Sequence, residues 1–127
     1  MKVLVADDDL DNRTIAATVL EASDYTVFLA SNGLEALALA EKELPEIILM
    51  DLSMPKLNGW EATQRLKLNP QLKNIPVIAF TAHAMVGDDK RALQAGCDDY
   101  LTKPCAPRKI LEKIREWEQK LKEQSSR

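Results

Sequence analysis

Asp7, Asp8 and Asp9 follow the apolar run "KVLVA" without a break, and Asp51 follows "EIILM" in the same way. Thr81 closes a third run, "PVIAF", and Lys103 with Pro104 comes directly after a fourth, "DYLT". A carboxylate at the end of a buried segment is costly unless something nearby needs its charge. If Asp7, Asp8 and Asp51 converge, their repulsion is severe unless a cation neutralises it or a pKa rises. Lys103 alone cannot balance three carboxylates. Hard oxygen donors with room left for water suit Mg²⁺, with Mn²⁺ as a substitute. The remaining open positions can hold a phosphoryl group, whose oxygens Lys103 and Thr81 would bind. Asp51 would then be the nucleophile, forming an aspartyl phosphate. Taken singly, these residues say little. An acidic run before a helix complements the helix dipole, which is the reading for Asp9 or Asp11, and a lone lysine is most often solvated. The joint placement at successive strand ends carries the argument.

That placement needs a scaffold. Five short apolar runs recur at regular intervals, at 2–6, 25–30, 46–50, 76–80 and 99–102. The run Ile47–Met50 shows no alternation, as a strand covered on both faces should not. Segments of helical periodicity lie between the runs. Residues 10–22 carry Ile15, Val19 and Ala22 on one face; residues 32–43 carry Leu34, Leu37 and Ala38 after an Asn32…Glu35 capping pair. Residues 58–68 follow a proline loop, 86–95 end at Gly96 as a C′ residue, and a last helix starts near Pro107. Its stripe Ile110, Ile114, Trp117 and Leu121 is too short for a coiled coil and reads as core packing, so a monomer is expected rather than a dimer. Five alternations of strand and helix predict an α/β fold, a doubly wound parallel sheet with helices on both faces. In such folds ligands bind beyond the carboxyl ends of the strands, which is where the reactive residues fall.

The chain has 127 residues, 46% hydrophobic and 29% charged, with a formal net charge of -3. This fits one domain, 1–122, with a polar tail at 123–127 that should fray. The mildly acidic balance argues against nucleic acid as a partner. No apolar stretch is long enough to span a bilayer, and "MKVLVADDD" turns acidic at once instead of forming a leader, so a cytoplasmic protein is expected. Cys97 and Cys105 are too few for a disulfide framework, and with one histidine they make a poor zinc set; both are read as reduced thiols.

The stretches "VLVADDDLDNR" (3–13), "ILMDLSMPKLNG" (48–59), "AFTAHAM" (79–85) and "DDYLTKP" (98–104) resemble, in order and spacing, the response-regulator receiver domains of two-component signalling, the CheY-like family. The resemblance spans Lys2 to about Lys122 and is similar in type to single-domain, DivK-like regulators. It implies a (βα)₅ fold with flavodoxin-like strand order 2-1-3-4-5. It also implies a phosphoacceptor role for Asp51, metal binding by Asp7, Asp8, Asp51 and the Ser53 backbone carbonyl, phosphate pairing by Lys103, and a switch formed by the Thr81 hydroxyl and Tyr100. Ser53 and His83 match positions that tune phosphate lifetime, and Lys103-Pro104 matches a bond typically cis in the family. Cys105 stands where relatives usually carry a larger apolar residue. The implied partners are a histidine kinase or histidine phosphotransfer protein as donor, and a downstream protein that docks on the face of the fourth helix, fifth strand and fifth helix. Tyr100 and exposed Lys109 and Lys113 are the candidate contacts there.

Such a protein is no enzyme beyond its own phosphorylation and dephosphorylation. A stand-alone receiver is expected, with a receiver cut from a hybrid kinase or multidomain regulator as the alternative origin. An aspartyl-phosphate phosphohydrolase would need an aspartate where Ser53 stands, because its general acid contributes ~10²–10⁴-fold. A flavin- or nucleotide-binding module is disfavoured because "DDD" repels phosphate. A scaffold with a dead site is disfavoured because every reactive position holds a competent residue.

Overall fold

The apolar runs pair as strands within one residue of the sequence boundaries: β1 (Lys2–Ala6), β2 (Thr26–Ala30), β3 (Ile47–Asp51), β4 (Val77–Thr81) and β5 (Asp99–Thr102). The computed structural model describes residues 1–52, 54, 56–81, 96–102 and 105–125, with Thr81 and Ser125 described in their backbone alone. All neighbouring strands are parallel, in the order β2-β1-β3-β4-β5. Helices α1 (Leu10–Glu21), α2 (Gly33–Glu43), α3 (Gly59–Leu68) and a C-terminal helix (Pro107–Ser125) connect and cover them. The helix read at 86–95 lies outside the described residues.

Strand pleating sends alternate side chains to opposite faces, and each face has its own core. Leu4, Ala6, Ile48, Met50, Val77 and Ala79 pack with Ala36, Ala40, Ala62 and Leu66 of α2 and α3. Val3, Val5, Ile47, Leu49, Ile78 and Phe80 pack with Ala16, Leu20, Ile110 and Ile114 of α1 and the C-terminal helix. Central β3 is buried at all five positions, which is why its sequence shows no alternation. A buried aliphatic side chain contributes about 1.5–3 kcal/mol relative to exposure.

Side-chain caps start the first three helices. Asp9 accepts from the N–H groups of Asp11 and Asn12, at 2.8 and 3.2 Å. Asn32 and Asn58 accept from Glu35 and Glu61 N–H, each at 2.9 Å. The expected Asn32…Glu35 pair is present in modified form, because the Glu35 carboxylate turns back to the Ser31 N–H and hydroxyl. Pro107 opens the C-terminal helix, as expected. This helix continues to Ser125, past the boundary read at Lys122, through a run of good helix formers with a Glu116–Lys120 ion pair at 3.4 Å.

The buried faces of α1 and α2 differ from the sequence reading. Ile15 and Ala22 are exposed and Val19 is only partly covered, while Ala16, Ala17 and Leu20 face inward. Leu34 and Ala38 are exposed in α2, and Gly33, Ala36 and Ala40 are buried. In α2 the small residues lie against the sheet, while Leu34 falls on the exposed flank and Leu37 is partly covered; in α1 two alanines and Leu20 face inward. In an apolar-rich stretch such as "GLEALALA" two helical rows compete, and size decides between them. The C-terminal stripe reads correctly: Ile110 and Ile114 are buried, with Trp117 and Leu121 packed against the same core. Gly96 has φ of +107°, a conformation that glycine adopts without strain.

Candidate functional site

β1 and β3 are neighbours in register, with Ala6 opposite Met50. The residues that follow, Asp7 and Asp51, therefore emerge side by side at the carboxyl edge of the sheet. The edge is also a topological switch point: from β1 the chain moves outward to β2, then crosses back to β3. Asp8 begins the turn into α1. One carboxylate oxygen from each of Asp7, Asp8 and Asp51 lies within 4.8 Å of the other two. Asp7 and Asp51 are buried and Asp8 is exposed, so the cluster has a walled side and an open side.

The local backbone holds this arrangement. Asp7 N–H donates to Ala30 O at 3.0 Å, prolonging the β1–β2 ladder. Asp7 Oδ1 accepts from Asp9 N–H at 2.9 Å. Asp9 serves α1 as its cap and stands outside the acid cluster, as the dipole argument expects. On the β3 side, Met54 and Leu57 are buried and draw the loop after Asp51 back into the core. Gly59, first in α3, donates to Leu52 O at 3.1 Å. A Cβ at Gly59 would lie 2.2 Å from Asp51 O and 2.7 Å from Leu52 Cα, so only glycine lets α3 begin so close to the acid-bearing strand end.

Three carboxylates of this spacing fit a hard divalent cation. Metal–oxygen bonds of ~2.0–2.6 Å bridge oxygens this far apart after small side-chain rotations, and the exposed side leaves room for water or a phosphoryl oxygen. Arg13 reaches the edge from α1, donating to the Asp7 main-chain carbonyl at 2.6 Å. Hydrogen bonds from the Ser31 hydroxyl and N–H hold the Glu35 carboxyl below its usual range, assisted by the Lys56 and Arg13 charges.

Of the other expected site residues, Thr81 falls at the same edge by backbone register. Asp51 pairs with Phe80, so Thr81 stands one step beyond on the adjacent strand, and Thr81 pairs with Thr102, the residue before Lys103. The Thr81 side chain, Ser53, His83, Lys103 and Pro104 lie outside the described residues. Tyr100, on edge strand β5, is 41% exposed. It lines an open hollow with Thr102, Ala106 and Lys109. Lys109 is exposed as expected. Lys113 is not: it is partly buried and ion-paired with Asp99 at 3.0 Å, because its helix position places it over the start of β5. Asp99 also accepts from Trp117 Nε1 at 2.9 Å. Both cysteines are free, Cys97 buried and Cys105 partly so, and burial pushes each thiol upward.

Sequence reasoning missed Gly59 and Arg13. A glycine at a helix start just after a reactive strand end was the available signal for the first. A cation six residues after Asp7 was the signal for the second.

The sequence profile of the response regulator receiver domain matches residues 3–115. The chain belongs to this family. Receiver domains are phosphoacceptor signalling modules of two-component systems, and this receiver domain has that role. It is 41% identical over 115 residues to the polar-differentiation response regulator DivK of Brucella anthropi, covering 91% of this chain and 94% of that one. Among solved structures it is similar to the chemotaxis response regulator CheY4 of Vibrio cholerae, with TM-score 0.86 and 29% identity over 91% and 96% of the two chains. It is also similar to the receiver domain of the sensor histidine kinase PA1611 from Pseudomonas aeruginosa, with TM-score 0.84 and 34% identity over 91% and 95%. That structure has a magnesium ion coordinated in its active site cleft. Among the described residues of this receiver domain, no helix is long and apolar enough to cross a membrane.

Proposed function

We propose that Asp51 accepts a phosphoryl group from a phosphohistidine, carried by a histidine kinase or a histidine phosphotransfer protein. The observation that carries this is the convergence of Asp7, Asp8 and Asp51 within 4.8 Å at the switch point. An Asp51 oxygen attacks phosphorus, the phosphorus–nitrogen bond breaks, and the imidazole leaves with the electron pair. Asp7, Asp8, Asp51 and the Ser53 carbonyl would hold Mg²⁺, or Mn²⁺ in its place. When bound, the ion supplies charge neutralisation for the phosphoryl oxygens. Lys103 pairs with the same oxygens. β3 contributes rigidity: a carboxylate on a fully buried strand arrives already aimed. Hydrolysis of the acyl phosphate by water then releases inorganic phosphate, at a rate to which Ser53 and His83 contribute.

Thr81 turns its hydroxyl toward the new phosphate, and Tyr100 moves into the space vacated. The exposure of Tyr100 supports this reading, since the ring has somewhere to go. The signal leaves through protein binding on the surface around Tyr100 and Lys109. Lys113 is better assigned to holding β5 on the C-terminal helix. The protein acts in the cytoplasm as a monomer, with residues 1–122 as the receiver unit and neither DNA nor membrane as partner. It catalyses nothing beyond its own phosphorylation and dephosphorylation.

The test is partner capture with and without beryllofluoride, a stand-in for the phosphoryl group, in wild type, Thr81→Ala and Tyr100→Ala. Capture should require beryllofluoride in wild type and fall in both variants. Beryllofluoride-dependent capture that survives both substitutions would sink this route for the signal.

A further inference from the structure

Arg13 has no part in the chemistry above, yet its side chain reaches the main chain that carries two of the clustered acids. It closes the first turn of α1 and is partly buried. Its Nη1 donates to the main-chain carbonyl of Asp7 at 2.6 Å, a short contact of the charge-assisted kind. The helix that launches it is fixed in place: Ala16, Ala17 and Leu20 are buried under α1, and Arg13 N–H makes one of the first intrahelical bonds, to Asp9 O at 3.1 Å.

The carbonyl of Asp7 and the nitrogen of Asp8 belong to one planar peptide. Fixing the oxygen fixes that plane, and with it the direction in which the chain enters Asp8. Asp7 is otherwise tied by its N–H to Ala30 and by Oδ1 to Asp9 N–H. Asp8, the exposed member of the cluster, makes no hydrogen bond or ion pair with the described residues. Its position is set by the backbone that carries it, and Arg13 clamps that backbone.

We propose that Arg13 is a positioning residue of the cation site: its guanidinium pins the Asp7–Asp8 peptide so that both carboxylates face the ion before it arrives. This rests on the Mg²⁺ reading of the acid cluster and adds to it. A side chain acting only as a neighbouring charge would do the opposite, because an arginine beside the cluster repels an incoming cation. Positioning and charge therefore predict opposite signs when Arg13 is removed.

The experiment is calorimetric titration with Mg²⁺ alone, on wild type, Arg13→Met and Arg13→Lys, with melting temperatures recorded with and without the ion. Loss of an outer-shell partner typically weakens metal binding ~10–100-fold, so Arg13→Met should bind Mg²⁺ about tenfold more weakly. Arg13→Lys keeps a charged donor and should recover part of that loss. The rise in melting temperature on adding Mg²⁺ should shrink in Arg13→Met. Equal or tighter Mg²⁺ binding by Arg13→Met would overturn the inference. So would a variant that melts lower but keeps the full Mg²⁺-dependent rise, since the arginine would then be only structural. Wild type that binds no Mg²⁺ would overturn the metal reading itself, whereas unchanged binding in Arg13→Met beside a binding wild type overturns the positioning role alone.

Discussion

Gly59→Ala adds one methyl group where the start of α3 presses against the end of β3. The new Cβ would stand 2.2 Å from Asp51 O and 2.9 Å from Asp51 C, against about 3.4 Å for ordinary contact. The helix start or the strand end must therefore shift by about 1.2 Å, and both are backbone with no rotamer to yield. Moving α3 strains its cap at Asn58 and the packing of Ala62 and Leu66; moving β3 disturbs a strand buried at all five positions. Overpacking of this kind costs about 2–3 kcal/mol, a fall in Tm of about 6–15 °C for a domain of this size. The shift also carries Asp51 away from Asp7 and Asp8, so Mg²⁺ binding should weaken beyond what lost stability explains. Thermal melts and Mg²⁺ titration of the folded variant measure both effects. Gly96→Ala is the control: its φ of +107° strains an alanine, but it precedes β5, at the sheet edge opposite the acids. It should lower Tm and leave Mg²⁺ affinity intact. A Gly59→Ala protein that melts within about 2 °C of wild type and binds Mg²⁺ normally would refute the reasoning.

The network at Asp99 gives a pH dependence. Burial raises this carboxyl, but hydrogen bonds from Trp117, Lys113 and the Tyr100 N–H outweigh it and leave the group below its usual value. A depressed folded pKa contributes stability above the unfolded value of about 3.9, lost as pH falls through the folded value. Asp99→Asn should thus lower Tm at neutral pH, and the gap to wild type should close from about pH 5 downward; a gap that stays constant into acid contradicts the assignment. Ile114→Ala removes a fully buried side chain from the core under the C-terminal helix. It should cost about 2–5 kcal/mol, read as a lower urea midpoint with unchanged slope, and a loss under about 1 kcal/mol would show that the helix packs loosely.

The sheet was legible because its signal is simple. Continuous apolar runs such as Ile47–Met50 have no alternative use in a chain this polar, and their boundaries hold to within a residue. Helix faces were less legible. In α1 the row Ile15, Val19 and Ala22 competes with Ala16, Ala17 and Leu20, and in α2 leucine and alanine rows alternate; the choice depends on how the helix meets the sheet, a tertiary quantity. The acid cluster could be anticipated from strand ends alone, since parallel register carries Asp7 and Asp51 to one edge. Lys113 could not be anticipated: its sequence context is that of a solvated lysine, and only the fold brings Asp99 beneath it. The bond from Arg13 to the Asp7 carbonyl was hidden for the same reason, because main-chain acceptors leave no mark in a sequence.

The central claim is that Asp51 receives the phosphoryl group. Incubation with acetyl phosphate and Mg²⁺, followed by intact mass measurement and peptide mapping, tests it directly. Wild type should gain a single phosphoryl group, labile to base and hydroxylamine and located on Asp51. The gain should vanish in Asp51→Asn, and it should fall sharply in Asp8→Ala and Lys103→Ala. Labelling of Asp51→Asn to the wild-type extent, or a modified peptide that lacks residue 51, would contradict the account.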